Sequence, residues 1–373
     1  MVATKLKLID ADAHVIESDQ AWQFGDPGDE EYLPKTVIIP SDPRTGGSES
    51  TSWLIDGKIQ APRAQASEEQ MRERSKLLGR DQTTSPQARE MRDIEARLRH
   101  MDMLGTDVQV LYTTCFLFEM TRRLETDVAM CRSWNRWMAD INSKAPDRLR
   151  WVCRPPTLSI KDSIEQMRYS KEHGAVGVFL RPFEHDEKLP IDPYFYPILE
   201  EAERLDMPIC MHIANANGPF LDFIFKQVNP DQQIFVPSFS IFFSAAVTTT
   251  HALLNSPVLD MFPKLRWATV EAASSWLPWL MKDMREKYKR QGKVAPPDLL
   301  AQRNIFVTCE NEDDIGYLVS QFGDDFLMIG TDYGHPDASS DVQALRTFGD
   351  RKDVSESSKE KILSLNAKRL YNL

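Results

Sequence analysis

The stretch "KLKLIDADAH" (residues 5–14) decides the fold, and it does so through an apparent contradiction. Its first half alternates apolar and polar residues as a strand does. Its second half sets Asp10, Asp12 and His14 where a strand entering a core should stay apolar. A turn accounts for aspartate at a strand end, since its side chain bonds nearby backbone amides. A metal accounts for more, because Asp12 and His14 lie two residues apart on a strand and so point to one face.

Seven more runs follow: "DVQVLYTT" (107–114), "RLRWVCRPP" (148–156), "AVGVFLRPF" (175–183), "MPICMHIAN" (207–215), "LRWATVEAA" (265–273), "NIFVTCENE" (304–312) and "FLMIGTDYGH" (326–335). Near-continuous Val, Ile and Leu indicate strands covered on both faces, as in a parallel sheet. Between the runs lie stretches with apolar residues at helical spacing, at 87–105, 127–145, 160–174 and 193–206; the first ends in Gly105, a C-cap residue. Eight strand–helix alternations predict an α/β fold of the (β/α)8 TIM-barrel type, as one domain over residues 1–373, with its site at the C-terminal strand ends. Two segments exceed ordinary loops. Residues 19–85 form a long insertion after the first strand, with a hairpin expected around Asp56-Gly57 and a charged, solvated cover after it. Residues 215–245 follow the fifth strand as an active-face loop.

Composition narrows the function. A net charge of −11 excludes a nucleic-acid binder, because phosphate contacts need a basic surface. No run reaches the roughly 20 apolar residues of a membrane span, and "MVATKLKLID" has no signal-peptide core. The five cysteines are widely spaced, with no C-x-x-C pair, which fits reduced thiols and a cytoplasmic location. Cys153, Cys210 and Cys309 read as core filler.

The polar residues concentrate at one end of the predicted barrel. The first strand ends in Asp12 and His14, the fifth in His212, the sixth in Glu271, the seventh in Glu310 and the eighth in Asp332, with His335 just beyond. Each alone reads as a cap or ion-pair partner. Together they form the carboxylate and imidazole mixture that divalent cations favour. His100, His173 and His185 fall on helices or loops, and His251 reads as a packing or capping residue. Trp276 and Trp279 are expected to pack the sixth helix on the barrel, and Trp22, Phe220 and Phe242 to line the pocket.

"DADAHVIE", "HMDMLGTDVQVLY", "MHIAN", "FPKLRWATVEAASSWLPWL" and "GTDYGHPD" together resemble the amidohydrolase-related family that includes aminocarboxymuconate-semialdehyde decarboxylase and resorcylate decarboxylase. The resemblance runs from about residue 7 to 370, weakest over 19–85. It implies that Asp12, His14, His212 and Asp332 hold one divalent metal ion (zinc, manganese or iron). It also implies decarboxylation or hydrolysis of a small carboxylate-bearing substrate. One departure stands out: Glu271 occupies the place of a sixth-strand histidine that takes part in catalysis in the decarboxylases. Glu271 could ligate a metal, and with His335 complete a second metal position. The alternative is therefore a two-metal iron or manganese oxygenase, hydroxylase or thioesterase, or a supporting subunit of such a complex. Asp332 is the expected general acid/base. Arg181, in "FLRPF", is either a bidentate clamp for a substrate carboxylate or an ordinary ion-pair partner. Expected partners are a small-molecule substrate and further copies of the chain, or a related subunit.

Overall fold

A computed structural model describes residues 6–41, 50–62, 66–214 and 240–373. Expectations for residues 215–239, including Phe220, and for the side chain of Phe242 lie outside the described residues. All eight apolar runs are strands. In chain order they are β1 (Ile9–Val15), then β2 (Lys35–Ile39), β3 (Ser50–Ile55) and β4 (Lys58–Pro62) of the insertion. There follow β5 (Val108–Thr113), β6 (Leu149–Cys153), β7 (Ala175–Leu180), β8 (Ile209–His212), β9 (Trp267–Val270), β10 (Ile305–Cys309) and β11 (Leu327–Ile329). One eight-stranded sheet runs β1-β5-β6-β7-β8-β9-β10-β11, its neighbours parallel. A parallel bridge between Ala13 and Tyr333 closes it, with the His14 amide donating to the Tyr333 carbonyl over 2.9 Å. Spatial order follows chain order, as a (β/α)8 barrel requires. Helices Ile94–Leu104, Leu124–Lys144, Ile160–Glu172, Tyr196–Arg204, Leu277–Arg290 and Ile315–Phe322 cover it. Among the described residues, no helix is long and apolar enough to cross a membrane.

The contradiction in the opening stretch is resolved by a bulge. Asp10 pairs with Gln109 but Ala13 with Leu111, so β1 carries one residue more than β5. Strict alternation would put Asp10, Asp12 and His14 on one face; the extra residue separates the first from the other two. The Asp10 carboxylate accepts from Gln109 Nε2 (2.9 Å), Thr331 Oγ1 (2.6 Å) and the Thr331 amide (2.9 Å). Gln109 is held in turn by Arg97 Nε at 2.7 Å, from the covering helix Ile94–Leu104. Asp10 thus ties β1 to β11 on the helix side, and burial pushes its carboxyl up to about 6. The interior below Asp12 and His14 is filled by Tyr112 and Tyr371, whose hydroxyls meet at 2.7 Å. Tyr371 Oη also donates to the Ala11 carbonyl.

The insertion folds as expected where it is described. β2, β3 and β4 make a separate antiparallel sheet, and Asp56 and Gly57 turn the β3–β4 hairpin with φ of 50° and 72°, the left-handed pair that a tight hairpin prefers. Trp53 meets the buried Trp22 edge-on at 5.7 Å. Helix Glu68–Leu78 buries only Met71 and is the charged cover. Two helix expectations need correction. The stretch 87–105 is broken, because Met91 has a φ of 53° and the second helix restarts at Ile94. Trp276 is packed against the core, but Trp279 is 56% exposed and lies beside the His251 ring on the outer surface.

Gly330 sits where β11 meets β1. A Cβ there would fall 2.3 Å from Asp12 Cβ, so glycine is required by proximity. Gly330→Ala should lower stability by about 1–3 kcal/mol, the usual cost of overpacking, and reduce bound metal by displacing Asp12. A thermal melt and metal analysis check this; an unchanged melting temperature would show that the seam is looser than described.

Candidate metal centre

Barrel closure brings together side chains from the first and last strands. Asp12, His14, His212 and Glu271 present ligand atoms all within 4.8 Å of one another, and so do His14, Glu271, Asp332 and His335. All six residues are buried. The six candidate ligands named from the sequence are thus brought together at one end of the barrel.

The hydrogen bonds fix how the imidazoles face. His14 Nδ1 lies 3.0 Å from the Thr113 carbonyl and His212 Nδ1 lies 2.7 Å from the Ile213 carbonyl. A carbonyl only accepts, so both Nδ1 atoms carry a hydrogen and both Nε2 atoms are turned towards the centre. Those two Nε2 atoms are 3.0 Å apart. Burial, then the neighbouring His335, holds His14 well below the usual imidazole range and keeps it neutral. Two ring nitrogens this close need a proton or a metal ion between them. The separation also suits two nitrogens each about 2.0–2.1 Å from a shared ion. Asp12 Oδ1 lies 3.3 Å from His212 Nε2 and 3.5 Å from His14 Nε2, and Glu271 Oε2 lies 3.3 Å from His212 Nε2. The donor set fits a divalent ion.

Uncompensated charge argues the same way. Glu271 Oε2 and Asp332 Oδ1 are buried with no contact of hydrogen-bond geometry, their near neighbours being ring nitrogens of His212 and His335, a state native proteins avoid unless a proton or ion is due there. Burial, then the Asp332 charge, raises Glu271 well above the usual carboxylate range. Burial, then Asp337 and Asp12, does the same to Asp332. Both residues also hold left-handed backbone, with φ of 59° for Glu271 and 48° for Asp332, a strain that persists only when surroundings fix it. The Glu271 turn is fixed by Asp313, which accepts from the Ser274 amide (2.8 Å), Ser274 Oγ (2.7 Å) and the Glu310 amide (3.0 Å).

Three supporting residues were not foreseen. Ser339 Oγ reaches Glu271 Oε1 (2.7 Å), Asp332 Oδ2 (3.2 Å) and Asp337 Oδ1 (2.7 Å), so one hydroxyl spans three acids. Thr114 Oγ1 donates to the Val15 carbonyl at 2.9 Å and must therefore accept from His335 Nε2 at 2.8 Å. That leaves His335 Nδ1 turned to Asp332 Oδ1 at 2.6 Å. Glu17, buried, accepts from Thr113 Oγ1 (2.5 Å), the Thr114 amide (3.2 Å), Trp134 Nε1 (2.9 Å) and the Cys115 amide (2.9 Å). It thus holds the segment that orients both His14 and His335. Such outer partners tune metal affinity. Only the "HVIE" of residues 14–17 hinted at Glu17; Thr114 and Ser339 carry no sequence signal.

Other expected residues lie outside the two donor groups. Arg181 is buried and ion-paired to Glu184 at 2.9 Å. Glu310 is outside both four-donor groups; burial, then the charge of Asp313, pushes its carboxyl up to about 8. His251 pairs with Asp283 at 2.7 Å, and His100 bonds the Tyr333 hydroxyl. All five cysteines are free and buried.

Comparisons with known proteins bear on the family and the fold. The Amidohydrolase family model matches residues 9–373. The chain is similar to 2-amino-3-carboxymuconate-6-semialdehyde decarboxylase of Dictyostelium discoideum, at 22% identity over 289 residues, covering 75% of this chain and 77% of that one. It shares its fold with an amidohydrolase of Mycobacterium avium subsp. paratuberculosis K-10, with a TM-score of 0.76 at 18% identity over 99% of this chain and 100% of that one. It also shares it with 5-carboxyvanillate decarboxylase of Novosphingobium aromaticivorans in complex with manganese, with a TM-score of 0.60 at 20% identity over 78% and 85%.

Two measurements test the site. His212→Ala should remove most bound metal, whereas His173→Ala, at a helix end with Nδ1 on the Tyr169 carbonyl, should leave it unchanged; equal metal content would refute the ligand assignment. Glu310 gives a pH signature. The folded chain keeps its proton up to about pH 8 while the unfolded chain releases it near 4.5, so the folded state binds more protons in that window and stability falls as pH rises through it. The slope is at most about 1.4 kcal/mol per pH unit. Glu310→Gln should match the parent protein at pH 5 and melt higher than it at pH 8.

Proposed function

The chain belongs to the amidohydrolase family, and on that basis we propose that it decarboxylates or hydrolyses a small carboxylate-bearing substrate at a mononuclear divalent metal site. The observation that carries the metal is the pair of imidazole nitrogens 3.0 Å apart among three buried carboxylates. Asp12, His14 and His212 would hold the ion together with Asp332, which the structure groups with His14 while Glu271 stands beside Asp12 and His212. When bound, it polarises a substrate oxygen or lowers the pKa of a water.

The protein's own groups then divide the work. One divalent charge offsets two of the three buried carboxylates Asp12, Glu271 and Asp332, so the third keeps a proton. Glu271 and Asp332 are the two that burial makes proton-retentive, and Ser339 Oγ touches both. That pair is positioned to deliver a proton to a substrate carbon or leaving group, and to accept one back. Arg181 supplies the partner for the substrate carboxylate. Relatives named as decarboxylases favour carbon–carbon cleavage over hydrolysis.

One observation supports a second reading. His335 Nε2 is committed to Thr114, so its Nδ1 points at Asp332 within a second four-donor group. Two divalent ions would compensate all three buried carboxylates without a retained proton. That reading makes the protein a two-metal oxygenase, hydroxylase or thioesterase, or a supporting subunit.

Metal stoichiometry and Glu271 separate them. We expect one ion per chain, with Glu271→Gln retaining it while carbon dioxide release from 5-carboxyvanillate falls roughly 10²–10⁴-fold, the range of acid–base help. Two redox metals per chain would instead establish the two-metal site, and loss of metal in Glu271→Gln would show that Glu271 is itself a ligand.

A further inference from the structure

Beside the metal centre stands a second built group, of which the reaction chemistry above uses Arg181 alone. Arg154 follows β6 and Arg181 follows β7, on adjacent strands, and they are 3% and 6% exposed. One buried carboxylate locks both. Glu184 Oε1 accepts from Arg154 Nη1 (2.8 Å) and the Arg181 amide (2.9 Å). Its Oε2 accepts from Arg154 Nη2 (3.1 Å), Arg181 Nη2 (2.9 Å) and Thr157 Oγ1 (3.0 Å). Both oxygens are saturated, so Glu184 acts as a strut between two guanidinium groups. The other acid nearby, Asp127, spends its carboxylate on the Leu158 amide and Cys131 Sγ. Among the described residues, the Nε atoms of both arginines are buried with no hydrogen-bond partner. A charged donor left so costs more than the roughly 1–3 kcal/mol of a neutral one, and an arriving acceptor would recover it.

The group adjoins the metal centre. Leu180 of β7 pairs with Met211 of β8, so the next residues in register are Arg181 and His212. The Arg154 guanidinium lies 5.5 Å from the Phe179 ring, which is 6.1 Å from the His212 ring.

We propose that Arg154, Glu184 and Arg181 form an oxyanion-recognition subsite, distinct from the metal, that takes a carboxylate on the substrate. The inference rests on the barrel mouth being the reaction site and deepens it: the substrate carries two oxygen functions, one for the metal and a carboxylate for Arg181. Guanidinium held in a fixed plane suits a planar carboxylate. Arg154 and Glu184 are positioning residues, since they act by fixing Arg181.

The test titrates metal-replete protein calorimetrically with benzoate and its neutral isostere benzamide. Benzoate should bind at least tenfold more tightly, and Arg181→Gln should abolish that preference with bound metal unchanged. Arg181→Lys, which keeps the charge but not the fork, should retain part of it, and serves if Arg181→Gln does not fold. Glu184→Gln should weaken benzoate several-fold. Equal binding of the two probes by the parent protein, or undiminished benzoate preference in Arg181→Gln or Arg181→Lys, would overturn the subsite while leaving the metal reading standing. Absence of metal from the parent protein would sink the metal reading, and the benzoate comparison would still judge the subsite.

Discussion

Everything at the mouth of this barrel follows from buried charge that the chain cannot balance with its own cations. Asp12, Glu271 and Asp332 are buried among His14, His212 and His335, and no lysine or arginine pairs with these three acids among the described residues. Water could solvate them only if the site were open. The remaining compensations are protons and metal ions, and which is used decides the chemistry. A retained proton makes an acid catalyst; a second ion makes a two-metal centre. The fold leaves both within reach because its donors form two overlapping groups that share His14 and Glu271.

The supporting layer is designed around fixed hydrogen-bond direction. Each imidazole of the centre has one nitrogen assigned to a backbone carbonyl or to Thr114, so the free nitrogen is aimed without choice. Glu17 does this at one remove, by gathering four donors onto one carboxylate. The Arg154–Glu184–Arg181 unit uses the same device with opposite charge. Such locking is what keeps catalytic groups in place without reorganisation at the moment of reaction.

Much of this was legible in the sequence because strand periodicity and residue chemistry are local. The eight runs, the hairpin at Asp56-Gly57 and the strand-end positions of the six candidate ligands could be read from short stretches. What was not legible depends on which strands become neighbours. The bulge that turns Asp10 away from Asp12 appears only when β1 is paired with β5. Ser339 matters because its loop returns over β9, and Thr114 because β5 lies beside β1; serine and threonine at loop positions are otherwise unremarked. Glu184 is three residues from Arg181, yet its second partner, Arg154, is 30 residues away. Trp279 misled for a related reason, since aromatic content says nothing about which face of a helix meets the barrel.

The closing seam has a consequence for how the chain is made. Asp10 meets Thr331 across 321 positions, so during synthesis β1 emerges long before the strand that completes it. Until then one side of β1 is an open edge, a template on which other chains could add strands. Asp10, Asp12 and His14 place charged and polar side chains on both faces of that edge, which discourages such pairing. Residues that later hold the barrel shut and bind its metal would thus serve the nascent chain first, as protection against aggregation.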